Sequence, residues 1–412
     1  MKTYLLIATA CLSLIACNEN KTASKELDTI PLGVAFETPT DLKASECFKQ
    51  IRYIPLETND SCLIGAAPSI KILHDKLVVT TAQKQCLLFD KATGHFLFSV
   101  GHIGNDPEGY SSINGYWLDY PNDRIVFAGW NNEQVVYNSN SSYATKFKVP
   151  IEKAEFPATT VSNYIDGQTL VAHTSAAKGK PDQITVFRDS TVINRFFPSG
   201  TDSLSYKVTP EDIESISIIS NHGFGPGMMF ISYKNNAEGA YPLGDHFFWH
   251  QGKDAFFKEQ FNDTIYQVTE KALLPVRYLD LAAYHWEVEK RFDKEKSHAI
   301  YPTEILEGEN GIIIRFITDL YNKRMVYNAF FDKKSGIVKV SDYTKAIEND
   351  LNGFLPLQPV SVSPKGEFTQ IISAEEVVSW FEEHTNSGDI PAEVATLKKV
   401  KEEDNPVVVI ME

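Results

Sequence analysis

The chain has 412 residues, a formal net charge of −15 at pH 7 and a hydrophobic fraction of 43%. That apolar share supports a large core, and the acidic balance argues against nucleic acid as a partner and against a polybasic grip on anionic lipid. The five cysteines include no CxxC pair, which excludes a dense disulfide framework and a thiolate zinc site.

In chain order, Lys2 precedes the apolar run YLLIATACLSLIA, which is too short to span a bilayer as a helix. The run ends at Cys17 and turns polar at once with Asn18, Glu19 and Asn20. Leu14-Ile15-Ala16-Cys17 resembles the bacterial lipobox. In that signal the cysteine sulfur takes a diacylglyceryl group, and cleavage falls before the cysteine. The resemblance implies a signal peptide over residues 1–16 and lipid attachment at Cys17. An ordinary secretory signal is the alternative. Residues 17–46 open with polar sequence lacking apolar periodicity and read as a flexible leash. Residues 47–412 form the folded domain.

That domain is written in short strands. Residues 70–101 hold IKIL, KLVVTTA, QCLLFD and HFLFSV, separated by HD, QK and KATG. Each run is rich in β-branched or aromatic residues, and each break is polar or glycyl. Four antiparallel strands in this length make one propeller blade. The pattern returns at 115–149, where PND, NNE and NSNSS are the turns, and more loosely at 161–197, 227–268 and 310–340. Helices are few. Residues 282–298 are charged throughout and read as a surface helix. Ser373 and Glu376 have capping-box spacing, Val377, Val378 and Phe381 follow at helical spacing, and Gly388 can close that helix. A second helix after Asp389 places Val394, Leu397 and Val400 on one face. NPVVVIME (405–412) is a strand at the very C-terminus. It has a counterpart near residues 48–58, and pairing the two would close a ring and remove bare edges. The fold expected is all-β: a single β-propeller, of six blades by length with seven also fitting, short C-terminal helices and terminal-strand closure.

These pieces resemble the six-bladed β-propeller lipoproteins of Gram-negative gut anaerobes, a family largely of unknown function. YIPLETNDSCLIG, FSVGHIGNDPEGYSSI, FNDTIYQVTEKALLPVRYLDL and EEDNPVVVIME carry the likeness. In that family the first-blade exit reads close to G-x-G-P-G-E-Y. Here Gly104, Pro107, Glu108 and Tyr110 keep the types, while Asp106 and Gly109 depart from it. The resemblance implies the fold, the anchor and an envelope location, with the outer membrane as the expected address. It implies no reaction.

No catalytic motif appears. His246 and His250 would share a metal on a helix, but on a strand they stand about 13 Å apart, so no metal is expected and no cofactor. HGFGPG (222–227) lacks the ending of a nucleotide loop. Ring-bearing turns are the ligand candidates: Trp130 in GWNNEQ, Tyr110 in DPEGYSS and His222 in SNHGFGPG. Tyr116 flanks the same first connection. Packing between blades is the competing role for these rings. The reading reached from sequence is a membrane-tethered, non-catalytic binding module for a glycan, a peptide or a protein. The alternative is an envelope hydrolase or lyase with its site in the propeller funnel.

Overall fold

A computed structural model describes residues 27–152, 154, 156–176, 180–199, 210–220, 227–243, 247–384 and 390–412. Among them, strands gather into seven sheets of three to five strands, antiparallel apart from one parallel edge strand, and one parallel two-stranded pair. We number the seven by position: sheet 1 (69–99), sheet 2 (112–148), sheet 3 (160–196), sheet 4 (213–242), sheet 5 (248–279), sheet 6 (301–342) and sheet 7 (361–372 with 407–411 and 51–55).

The local chemistry explains the strands read from sequence. Sheet 1 has strands Ser69–Leu73, Lys76–Thr80, Cys86–Asp90 and Phe96–Ser99, in the order expected. Sheet 2 follows the second repeat, and its Asn131 and Asn132 take φ of 55° and 62°. Asparagine tolerates that left-handed pair, which a tight hairpin of matching twist needs. Strand Gly311–Thr318 of sheet 6 is buried throughout and reads GIIIRFIT. Its Arg315 survives there because Glu304, Asn328 and the Pro359 carbonyl take its guanidinium hydrogens. A buried charge without such partners would cost several kcal/mol.

The terminal strands pair as expected. Val407–Met411 lies between Phe368–Ile372 and Ile51–Pro55, with Ile51 opposite Met411 and Pro55 opposite Val407. All five of its residues are fully buried.

Sheets pack face to face through shared apolar clusters. Sheet 1 meets sheet 2 around Leu88, Trp117 and Phe127. Sheet 2 meets sheet 3 around Val149, Ala172 and Phe187. Sheet 3 meets sheet 5 around Val186, Phe248 and Phe257. Sheet 5 meets sheet 6 around Trp249, Ile314 and Phe331. Sheet 6 meets sheet 7 around Ile313, Phe330 and Val409, and sheet 7 meets sheet 1 around Ile70, Leu77 and Val408. Sheet 4 stands outside this succession. It packs Met228 and Phe230 against Trp286, Ile317 and Tyr321.

Two expectations are corrected. The flexible leash stops short of residue 46: Asp28–Ile30 pairs in parallel with the last strand of sheet 5, and Leu42–Lys43 pairs with Ile347–Glu348. Ile30, Leu32, Leu42 and Ala44 are buried, so the segment is a packed strap across sheets 5, 6 and 7. Gly33 is needed there, because a Cβ would sit 2.2 Å from the Leu281 carbonyl oxygen. Residues 282–298 are three short 3₁₀ turns rather than a solvated helix, and Trp286 among them is 2% exposed. Most of the charges face out, Arg291 is buried, and the one indole anchors the segment.

The C-terminal helices follow the sequence. Ser373 and Glu376 cap helix Ala374–Glu383 reciprocally, and Val394, Leu397 and Val400 are buried behind it. Gly388 lies outside the described residues. Cys47, Cys62 and Cys86 are buried as separate thiols.

Candidate functional site

In a four-stranded antiparallel sheet, the turn between the second and third strands and the exit from the fourth share one end. At that end of sheets 3 and 5 a polar cluster is buried. The second-to-third loop of sheet 3 supplies Asp182, and His173 stands on the strand before it. The corresponding loop of sheet 5, Lys258 to Asp263, supplies Glu259. The connection from sheet 5 to sheet 6 supplies Arg291.

His173 is 1% exposed, and its Nε2 is 3.3 Å from Asp182 Oδ1. Asp182 also accepts from the Ala176 backbone N–H at 3.0 Å. Burial acts to raise the Asp182 carboxyl, but His173, the Ala176 N–H and the Arg291 charge outweigh it and hold it below its ordinary range. Glu259 is 2% exposed, and its Oε2 accepts from Ser199 Oγ at 2.5 Å and Asn262 Nδ2 at 3.1 Å. Burial first, and then the Asp182 charge, push the Glu259 carboxyl up to about 8. No donor among the described residues reaches its Oε1. A proton on Glu259, shared toward Asp182, removes the repulsion between two buried acids.

Lys258 is also buried and donates to the Glu259 carbonyl at 3.0 Å. Burial lowers its ammonium, against the pull of Asp263 and Glu259. His285 Nδ1 lies 2.5 Å from Asp263 Oδ2.

This loop is a wall between two pockets. One, a shallow cleft with enclosed space of about 20 Å³, is bounded by Met228, Phe247, Lys258, Glu259 and Tyr301. The other, with about 30 Å³, is bounded by Asp182, Tyr241, Phe261, Arg291, Phe292 and Tyr321. Gln260 lines both, and its amide donates to Tyr301 Oη. Phe261 takes φ of 54°, a conformation that costs a bulky residue about 1 kcal/mol or more and gathers at functional sites. Its ring lies 5.2 Å from the rings of both Trp286 and Tyr301.

The family match spans nearly all of this architecture. Residues 27–412 fit the model described as Domain of unknown function (DUF4934). The chain belongs to the DUF4934 family. The strap from Asp28 onward therefore lies within the family's domain. No curated protein matches the sequence. Among solved structures, the DUF4934 chain is similar to one from Bacteroides fragilis NCTC 9343 described as a putative exported protein. Identity is 15%, coverage 94% of this chain and 99% of that one, and the TM-score 0.62. A DUF4221 family member from Bacteroides vulgatus matches with 8% identity, 88% and 96% coverage and a TM-score of 0.43. At such identities the first likeness concerns the fold alone.

The residues singled out from this DUF4934 sequence fare unevenly. Trp130 is half exposed on the second-to-third loop of sheet 2, and its Nε1 donates to the Gly104 carbonyl at 3.1 Å. Tyr110 is corrected to core: it is 1% exposed and stacks on Phe127 at 4.2 Å. Tyr116 is core as well. His222 and Cys17 lie outside the described residues, as does His246. His250 is buried, stacks on Tyr164 at 3.8 Å and donates to its carbonyl at 3.0 Å. Among the described residues, no three His, Cys, Asp or Glu side chains are placed to hold a metal. The cluster at 173, 182, 259 and 291 escaped sequence reading. Its sole trace is Lys-Glu directly after the buried pair Phe256-Phe257, a polar step where the turn had not yet begun.

Replacing Trp130 by alanine is expected to leave the melting temperature nearly unchanged, with a stability loss below about 1 kcal/mol. Thermal melts check this, and a steep fall would make Trp130 part of the core.

Proposed function

We propose that the protein is a lipid-anchored six-bladed β-propeller of the cell envelope that binds a small ligand at the loop end of sheets 3 and 5 without turning it over. Six sheets, 1, 2, 3, 5, 6 and 7, are its blades, and sheet 4 is an insertion between the third and fourth. The succession of six apolar interfaces supports this ring, since it returns to the sheet where it began. So does the pairing of Ile51–Pro55 with Val407–Met411. The likeness to a protein described as putatively exported supports the envelope location, and the outer membrane is the address that the resemblance to propeller lipoproteins implies.

The observation that carries the binding reading is the wall formed by Lys258 to Asp263. It is a buried polar segment between two shallow clefts, and its Gln260 lines both. Hydrolase or lyase chemistry has one feature in its favour, the proton-sharing pair Asp182 and Glu259. A two-carboxylate mechanism needs both groups at one substrate. Here Glu259 borders one cleft and Asp182 the other, which favours binding over that mechanism.

A panel of oligosaccharides and short peptides screened by thermal shift tests this reading. A hit is expected to raise the melting temperature, to be recovered intact by mass spectrometry, and to lose its effect on Gln260→Ala. Steady conversion of the hit to product would sink the non-catalytic reading.

The anchor has its own test. Cys17→Ser is expected to abolish labelling with a palmitate analogue and to release the protein from the membrane fraction, because stable anchoring needs two acyl chains or more. Continued labelling and membrane retention would refute it.

A further inference from the structure

Of the five tryptophans, four are packed away and one faces water. Trp117, Trp249 and Trp286 are buried, and Trp380 packs against Phe354, Phe381 and His384. Trp130 is 49% exposed. The turn that carries it is tied on both sides. The Gly129 N–H donates to the Glu133 carbonyl at 2.8 Å, the Glu133 N–H to the Trp130 carbonyl at 3.0 Å, and the Val149 N–H to the Asn132 carbonyl at 2.9 Å. The indole N–H is spent on the Gly104 carbonyl. That bond fixes the ring by its edge and leaves ring surface in water. Gly104 belongs to the connection from sheet 1 to sheet 2, which reaches the same end of the sheets and is folded on itself. The Tyr110 N–H donates to the His102 carbonyl at 3.1 Å, and the Tyr137 hydroxyl to the Glu108 carbonyl at 2.6 Å. His102 and Asp106, both exposed, crowd the same glycine: a Cβ on Gly104 would lie 2.5 Å from Asp106 Oδ2 and 3.1 Å from His102 Cδ2. One glycine thus carries the ring on its carbonyl and a polar pair at its Cα. His102 Nε2 donates to Asp106 Oδ2 at 2.7 Å, which leaves Nδ1 to a ligand hydroxyl. Asp106 Oδ1 accepts from the N–H groups of Glu108 and Gly109, each at 3.1 Å.

We infer that this surface between sheets 1 and 2 binds a neutral sugar unit of a glycan, with the pyranose face on the Trp130 ring and hydroxyls at His102 and Asp106. The inference goes beyond the binding reading above and uses none of its residues. A pyranose has a flat face of C–H groups that matches an indole, and an edge of hydroxyls that needs directional partners. The exposed ring supplies the first and the imidazole–carboxylate pair the second. Both are held in place before any ligand arrives, so little ordering is left for binding to offset. A cationic peptide is the competing partner, since a ring beside a carboxylate attracts ammonium groups. Here the Asp106 charge is already engaged by His102 and two backbone N–H groups, which favours uncharged hydroxyls over a cation. An acidic sugar is disfavoured by Asp106 and Glu108 and by the formal net charge of −15.

Isothermal titration of the full mature chain tests this with cellotetraose, maltotetraose and mannotetraose, and with tetragalacturonic acid and tetralysine as charged comparators. At least one neutral tetrasaccharide is expected to bind, and to bind more tightly than either comparator. Trp130→Ala is expected to weaken that sugar about tenfold or more, Trp130→Phe to weaken it less, and His102→Ala and Asp106→Asn to weaken it several-fold. Gln260→Ala should leave it unchanged. A second measurement keeps the test on the wild-type chain: the bound sugar should protect the one exposed indole from quenching by acrylamide. No binding by any of the three sugars overturns the inference, as does tighter binding of tetralysine or of tetragalacturonic acid. Unchanged quenching at saturating sugar overturns it too. A sugar whose binding is lost on Gln260→Ala and kept on Trp130→Ala would overturn this site and support the binding reading. A sugar lost on Trp130→Ala and kept on Gln260→Ala supports this site, whatever becomes of that reading.

Discussion

Removing residues 405–412 abolishes the folded state. Val407–Met411 is an interior strand, hydrogen-bonded to Phe368–Ile372 on one side and to Ile51–Pro55 on the other. Its five side chains are fully buried, and they feed two different interfaces: Val407, Val409 and Met411 face sheet 6, while Val408 and Ile410 face sheet 1. Burying five such side chains contributes on the order of 10 kcal/mol, comparable to the whole net stability of a typical protein. The cut also strips both neighbours of their ladder and leaves two bare edges. The expected result is loss of near-UV circular dichroism, absence of a cooperative melt, and aggregation. The single change Val408→Asp should act in the same direction by burying an unpaired charge between sheets 7 and 1. A truncated chain that melts at the wild-type temperature would refute the account.

Glu259→Gln is expected to stabilise the protein in alkaline solution. The folded Glu259 carboxyl sits at about 8, raised from an ordinary value of 4.5 by burial and by Asp182. Between these two pH values the folded chain holds a proton that the unfolded chain has released. Stability from this group is therefore complete below about pH 4.5 and is lost as pH rises through about 8. Glutamine keeps the shape, can donate to Asp182 as the protonated acid does, and cannot ionise. The variant and the wild type should melt close together at pH 5. The variant should melt higher at pH 9, by an amount equivalent to a few kcal/mol. His250 contributes in the opposite window. Burial lowers its imidazole to about 4, so its stabilisation is lost as pH falls from about 6.5 through 4, equally in both proteins. Equal melting temperatures for the two proteins across pH 5–9 would mean that Glu259 is already ionised in the fold.

Sheets 1 and 2 were legible because turn and strand chemistry agree in them. KATG and PND break runs of Leu, Val and Phe that have no competing helical period. The C-terminal strand was legible for a related reason: VVVIM is apolar on both faces, as a strand buried between two sheets must be. The strap was misread because Ile30, Leu32 and Leu42 are thinly spread in polar sequence, and their burial depends on surfaces of sheets 5 to 7 formed some 250 residues or more later in the chain. Residues 282–298 misled in the opposite way, since charge count hides a single buried Trp286. The candidate site left almost no trace. His173, Asp182, Glu259 and Arg291 have no fixed spacing, and their meeting is a product of how sheets 3 and 5 face each other. Tyr110 and Trp130 occupy similar turn-rich sequence, yet one stacks inside on Phe127 and the other is half exposed. Composition around a ring does not say which way it points.

The terminal pairing also sets an order of events. Ile51–Pro55 is among the first strands to be synthesised, and its only ladder partner among the described residues is Val407–Met411. The strap before it depends on residues 277–279 and 347–348. Throughout elongation, then, the leading end carries apolar residues with nothing to cover them, and each finished sheet awaits a neighbour. This pairing cannot form before residues 407–411 leave the ribosome. Such high contact order slows folding and lengthens exposure of the open edge. A fold whose Ile51–Pro55 strand waits for Val407–Met411 keeps that edge open until those residues are made.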